Sequence, residues 1–165
     1  MKKGFTLIEL LIVIALLGAL AVGLLATIDP FEQLKKGRDT SIRNTVAEMY
    51  NANLRYFSTK GQFPWGTGST FTAKAVNTMG VDVTELINVG ELKNKFIELA
   101  GTGNLAKVLV TSTAVEHLAV CYKAESKSFQ EDPVTIFGSD GVTSATTCKS
   151  QTSGTSGADC YYCVQ

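Results

Sequence analysis

Lys2-Lys3-Gly4-Phe5-Thr6-Leu7-Ile8-Glu9 leads into an apolar run that continues to Ile28. Within residues 5–28 the polar interruptions are Thr6, Glu9 and Thr27. Wound as one helix, this segment reaches roughly 36 Å at about 1.5 Å per residue. A bilayer core needs about 20 apolar residues, so the run predicts a membrane-spanning helix. Lys2 and Lys3 precede it and Asp29 follows it. The bias of basic residues toward the cytoplasmic side then predicts a cytoplasmic N-terminus and an exported remainder.

Glu9 breaks the pattern. A carboxylate at the centre of such a helix costs about 2.5–3.5 kcal/mol on insertion scales, and less near the headgroups. Two readings stand: Glu9 lies at headgroup level and snorkels, or it is a pairing partner in an assembled state. An ordinary signal peptide is cut at small residues after its apolar run. Ala21-Val22-Gly23 and Ala26-Thr27-Ile28 match that pattern poorly. Gly4, before the run, is the better processing point.

Gly4-Phe5-Thr6-Leu7-Ile8-Glu9-Leu10-Leu11-Ile12-Val13 resembles the class III signal and N-terminal helix of type IV pilins and type II secretion pseudopilins. The resemblance covers about residues 4–30. Its specificity comes from the combination of charge, glycine, phenylalanine, glutamate and a long apolar run. It implies cleavage between Gly4 and Phe5 by a membrane-embedded prepilin peptidase and N-methylation of Phe5. It implies that Glu9 pairs with a neighbour's N-terminal amine during assembly. The implied partners are copies of the chain in a helical filament, the peptidase, and an assembly platform with its ATPase.

The length of 165 residues suffices for an anchor and one domain. Lys+Arg and Asp+Glu are equal at 15 each, so no basic excess argues for nucleic acid. Cleavage after Gly4 removes Lys2 and Lys3 and leaves 13 basic against 15 acidic side chains. The cysteines Cys121, Cys148, Cys160 and Cys163 lie in the final third. In an exported domain disulfides are the default. The pairing expected is Cys148–Cys160, closing a Ser/Thr/Gly-rich loop, with Cys121–Cys163 tying the terminus to a strand. A redox Cys-x-x-Cys site is the rival, but its βαβ context is missing. An all-cysteine zinc site would want a second Cys-x-x-Cys pair.

Beyond the apolar run, Asp29-Pro30 predicts a kink, because proline lacks an N–H and clashes with the preceding turn. Ile42, Val46, Met49, Tyr50, Leu54 and Phe57 then recur at helical spacing, an amphipathic continuation over residues 29–57. Lys35, Lys36, Arg38, Asp39, Arg43 and Glu48 fall mostly off that stripe. They read as a solvated face, or in part as ion-pair partners between filament subunits. Ser58 to Pro64 carries turn chemistry, and Trp65 reads as a plug under the following loop. Tyr56 with Gly61-Gln62-Phe63-Pro64 resembles the segment after the long helix of major pseudopilins and many pilins.

Asp82-x-x-Glu85 reads as a capping box opening a short helix. Leu86, Leu92, Phe96 and Leu99 supply its apolar contacts, Gly90 divides it and Gly101 caps it. Strands are expected at residues 107–111, 118–123 and 134–137, with a turn at Gly138-Ser139-Asp140-Gly141. Residues 143–157 are almost all small and polar, a surface loop held by cysteines, and Tyr161, Tyr162 and Val164 form a last strand. The predicted fold is α+β and pilin-like. A long N-terminal helix packs its second half on a small antiparallel sheet with a disulfide-stapled C-terminal region. The divisions are a leader over residues 1–4, the span over 5–28, the continuation over 29–57, and an extracytoplasmic domain over 58–165.

Catalytic chemistry is not legible. His117 is the sole histidine, which excludes multi-histidine zinc catalysis and leaves a Ser-His-Asp triad unsupported. There is no P-loop, so an ATPase must be another protein. Asp132, Asp140 and Asp159 lie where some pseudopilins bind calcium, but their spacing matches no EF-hand, and no cofactor is expected. The favoured class is a structural filament subunit: a pilin, or else a pseudopilin of a secretion or DNA-uptake system. The rival is a membrane-tethered enzyme or binding domain.

Overall fold

The computed structural model of the chain describes residues 4–27, 29–114, 117–141 and 160–165. It divides into two compact units, Met1–Leu34 and Lys35–Gln165. In the first, α1 runs over Leu7–Thr27. Its backbone bonds are satisfied within the helix, and its Leu, Ile, Val and Ala side chains are exposed along the described length to Leu25. α2, Pro30–Lys60, then begins afresh. Asp29 Oδ1 accepts the free N–H groups of Phe31 (3.1 Å) and Glu32 (3.3 Å). Proline suits the first helical position because the N–H it lacks would have no intrahelical partner there. Pro30 is the first residue of α2, and Ile28, between the two helices, lies outside the described residues.

In the second unit α2 buries Ile42, Val46, Met49 and Ala52 completely. Full burial of Ile42, Val46 and Met49 contributes on the order of 5–9 kcal/mol before entropy is counted. A helix carrying Gly37 and many polar residues needs such a tertiary partner. The buried face is not quite the apolar stripe. Asp39 and Asn53 are fully buried and Tyr56 nearly so, whereas Leu54 is exposed. The solvated-face reading fails for Asp39. Its carboxylate accepts Ser126 Oγ (2.6 Å), Ser126 N (2.8 Å) and Glu125 N (3.0 Å), which pins the chain after β3 onto the helix. Arg43 is only part-exposed. It donates to Asp132 at 2.9 Å, and its guanidinium lies 4.6 Å from the Phe129 ring centre and 4.1 Å from that of Tyr162.

The sheet has five antiparallel strands in the order β1-β2-β3-β5-β4. They are β1 Phe71–Ala75, β2 Val108–Ala114, β3 His117–Lys123, β4 Thr135–Phe137 and β5 Tyr161–Val164. Strand alternation sends Val108, Val110, Leu118, Val120 and Tyr122 into the core with Ile42, Val46 and Met49. Ala119, Cys121 and Cys163 form a second cluster with Phe137 and Tyr161 on the other face. There Cys121 and Cys163, directly opposite in register, are joined by a disulfide with their Cα atoms 4.1 Å apart. Gly141 closes over it with φ +75°, and a Cβ there would stand 2.4 Å from Ala119 Cβ. Cys160 is also disulfide-bonded. Cys148, Asp159 and the expected 143–157 loop lie outside the described residues.

Short helices α3 (Gly80–Asn88), α4 (Phe96–Ala100), α5 (Thr102–Leu105) and α6 (Lys127–Gln130) fill the connections. Asp82 does not cap α3. The helix starts after Met79 with no side-chain cap bond, so Asp82 sits inside its first turn. Burial pushes the Asp82 carboxyl up, with Lys74 pulling the other way. Glu85 instead accepts the Tyr56 hydroxyl at 3.3 Å. Leu86, Leu92 and Phe96 are core residues as expected, but Leu99 is 73% exposed. Gly90 and Gly101, at positive φ, end α3 and α4. Trp65 stacks on Phe63 (5.0 Å) and meets Phe71 edge-on (5.1 Å). β1, which went unpredicted, carries a bulge in which Ala73 (φ 50°) donates its N–H to Thr111 Oγ1 at 2.9 Å.

Candidate processing and assembly site

Gly4, Phe5 and Thr6 precede the first helical residue, Leu7, and all are exposed, Phe5 by 82%. A Cβ added at Gly4 would meet no atom within 4 Å. The fold itself therefore places no demand on glycine there. A requirement for it would have to come from a protein that grips the segment from outside.

Thr6 and Glu9 form a reciprocal cap at the start of α1. Glu9 N donates to Thr6 Oγ1 (3.3 Å), and Thr6 N donates back to Glu9 Oε2 (3.3 Å). The Thr6 hydroxyl also donates to Glu9 Oε2 at 3.1 Å. This is the Thr-x-x-Glu capping box, with Thr6 at the N-cap and Glu9 at the third helical position. It partners two backbone donors that a helix start leaves open, and a carboxylate favours the positive end of the helix dipole. The cap is a third role for Glu9, beside snorkelling and pairing, and the Thr-x-x-Glu spacing is its signal. A carboxylate offers about four lone-pair directions, so a capped Glu9 keeps capacity for a further donor.

From Leu7 to Leu25, 19 residues are long and apolar enough to cross a bilayer. The expected span is residues 5–28. Phe5 and Thr6 are not helical, and Ile28 lies outside the described residues. Gly18 and Gly23 face open space along it.

Residues 1–25 match the family model described as the prokaryotic N-terminal methylation motif. The chain carries the class III signal of type IV pilins and pseudopilins. Gly4, Phe5 and Glu9 lie within the matched residues, and the motif supports a pilin- or pseudopilin-like protein in general terms. The motif points to a structural subunit. No curated protein and no solved structure matches the chain.

The other residues considered at the sequence level have structural surroundings. Asp132 is the counter-ion of Arg43. His117 begins β3 with Nδ1 3.1 Å from Thr113 Oγ1. No group of three or more His, Cys, Asp or Glu suited to a metal occurs among the described residues.

Proposed function

We propose that the chain is a structural subunit of a type IV pilus or pilus-like filament, held in the inner membrane and polymerised through α1. The supporting observation is a helix whose apolar side chains are all exposed over Leu7–Leu25 and whose start carries a capped carboxylate. Such a surface is stable in lipid, or against other helices of the same kind. A peptidase cuts between Gly4 and Phe5, Phe5 is methylated, and the exported domain stays tethered until assembly. In the filament, Glu9 accepts the N-terminal amine of a neighbour's Phe5. Pairing offsets the desolvation of both charges and fixes the axial register, the best-attested use of a buried ion pair. An assembly platform and a separate ATPase supply the work.

The test is mass spectrometry and electron microscopy of filaments sheared from the cell surface. The subunit should begin at methylated Phe5. Glu9→Gln and Thr6→Ala separate the two roles of the carboxylate. Glutamine still serves a capping box but carries no charge, so Glu9→Gln should abolish filaments while Thr6→Ala keeps them. Both should be cleaved normally. Normal filaments from Glu9→Gln, or a chain recovered only as a monomer in the inner membrane, would count against this function.

A further inference from the structure

α2 begins with apolar side chains that the domain does not bury. Phe31 is 73% exposed and Leu34 59%, whereas Ile42, the next large apolar residue along the helix, is fully buried. The compact unit that contains α1 also ends at Leu34. Exposed apolar side chains thus continue past Pro30 to the last residue of the unit that holds the apolar helix. At 3.6 residues per turn, Phe31 and Leu34 lie about 60° apart around α2, with Glu32, Gln33 and Lys36 on the other side. The backbone donors at this helix start are closed by one residue. Asp29 Oδ1 accepts the N–H groups of Phe31 and Glu32, and the Asp29 carbonyl accepts Gln33 N at 3.4 Å. Pro30 has no N–H to leave open. A backbone satisfied in this way suits a layer where water is scarce.

We propose that Phe31 and Leu34 insert into the boundary between lipid headgroups and acyl chains, so that the membrane-bound length of the chain extends past Asp29-Pro30 to Leu34. The inference rests on α1 being a membrane anchor. The tether supplies the address: Phe31 is six positions beyond Leu25, where the apolar stretch ends, and even fully extended that length keeps it within about 21 Å. Helices with Phe and Leu on one side bury that side about 5–10 Å into this boundary. Area decides against a second copy as the occupant. A specific protein–protein contact buries about 1,200–2,000 Å², and Phe31 with Leu34 supply on the order of 300 Å². Lipid needs no matching surface. The two side chains then set the depth at which the anchor sits.

The test uses the full chain in phosphatidylcholine vesicles whose acyl chains carry bromine, a tryptophan quencher, either near the carbonyl or near the chain end. Trp65→Phe removes the single tryptophan, and Phe31→Trp, Gln33→Trp or Ile12→Trp then places one probe. Ile12→Trp should be quenched by bromine near the chain ends. Phe31→Trp should be quenched by bromine near the carbonyl and show blue-shifted emission, and Gln33→Trp should show neither. Adding Leu34→Ser to Phe31→Trp should cut the ratio of inserted to free segment about tenfold, read as loss of that shift. Circular dichroism should match the parent, because neither side chain is in the core. Quenching of Phe31→Trp no greater than that of Gln33→Trp, with Ile12→Trp quenched, would overturn this inference and leave the anchor standing. An unquenched Ile12→Trp would remove the anchor and this inference together. A blue shift that disappears as the chain is diluted in lipid would show that a neighbouring copy covers Phe31, which also overturns it.

Discussion

Replacing Asp39 with alanine should unfold the domain far more readily than a change at a surface charge would. Asp39 and Ser126 are both fully buried. The carboxylate takes the Ser126 hydroxyl at 2.6 Å, Ser126 N at 2.8 Å and Glu125 N at 3.0 Å. Alanine strands the two Ser126 donors where water does not reach, at about 1–3 kcal/mol each, and loses charge-assisted bonds besides. The expected loss is therefore on the order of 3–5 kcal/mol, a large part of the roughly 5–15 kcal/mol that holds a domain together. Asp39→Asn should fall between, because one amide oxygen still accepts while the NH₂ faces other donors. Ser126→Ala should cost about 1.5 kcal/mol, since it removes one donor and leaves the Ser126 N–H partnered. Urea unfolding of the detergent-solubilised chain can be followed by Trp65, the single tryptophan, which packs against the core. An Asp39→Ala variant within about 0.5 kcal/mol of the parent would show that the carboxylate is solvated after all and refute the clamp.

Cys121 and Cys163 are 42 residues apart, so Cys121→Ser with Cys163→Ser should cost roughly 4 kcal/mol on the chain-entropy account, measured by the same unfolding curve. Gly141→Ala should lower the thermal midpoint, because the new methyl meets Ala119 Cβ at 2.4 Å and the backbone is at φ +75°. Its cost should be about 1–3 kcal/mol, and an unchanged midpoint would mean that the turn lifts off the sheet freely. Burial pushes the Tyr122 phenol up to about 12, with Arg43 pulling it down and Asp39 adding to the rise. Its contribution is therefore complete below the ordinary value of 10.0 and is lost as pH climbs through about 12. Tyr122→Phe should lose less stability than the parent over that interval. At neutral pH it should differ little from the parent, since the buried hydroxyl finds no well-formed hydrogen bond among the described residues and only the Arg43 guanidinium, already held by Asp132, lies beside it. A parent and variant with parallel pH profiles would contradict this assignment.

The parts legible in the sequence were those encoded by local pattern. The apolar run, the long second helix, β2 to β5 within a few residues, and the Gly138–Gly141 turn each follow from period or turn chemistry. The Cys121–Cys163 bridge is the expected pairing of the terminus with a strand, chosen among three possible pairings of four cysteines. Other features depended on distant partners. Asp39 looks like one more charge on a polar helix until the Glu125–Ser126 chain, 86 and 87 positions later, delivers donors to it. Leu54 and Leu99 fit helical stripes, yet both are exposed among the described residues. β1 lies in a Thr- and Ala-rich segment with a bulge, so strict alternation never appeared. The Asp82 error was one of competing signals: an acidic residue three before a glutamate also suits the first turn of a helix already begun. At Glu9 the opposite holds: the Thr-x-x-Glu spacing encodes a local cap, which the cost of a carboxylate in a membrane helix does not by itself reveal.

The two units depend on the chain in different ways, and this bears on how variants should fail. α1 is closed by bonds between residues three and four apart, and its cap is made by Thr6 and Glu9 alone. It needs nothing downstream to be a helix. The sheet needs the last described strand. β5 lies between β3 and β4 and pairs with both, so without it the sheet divides and neither strand keeps that partner. The C-terminal residues thus complete the interior of the sheet, with the Cys121–Cys163 bridge at their centre. Damage at Asp39 or Cys163 should therefore leave cleavage after Gly4 intact while removing the folded domain. Damage at Gly4 or Glu9 should leave the domain's unfolding curve unchanged. The capping contacts of Thr6 and Glu9 and the contacts that hold the sheet lie in different units, and each set is closed by residues of its own unit.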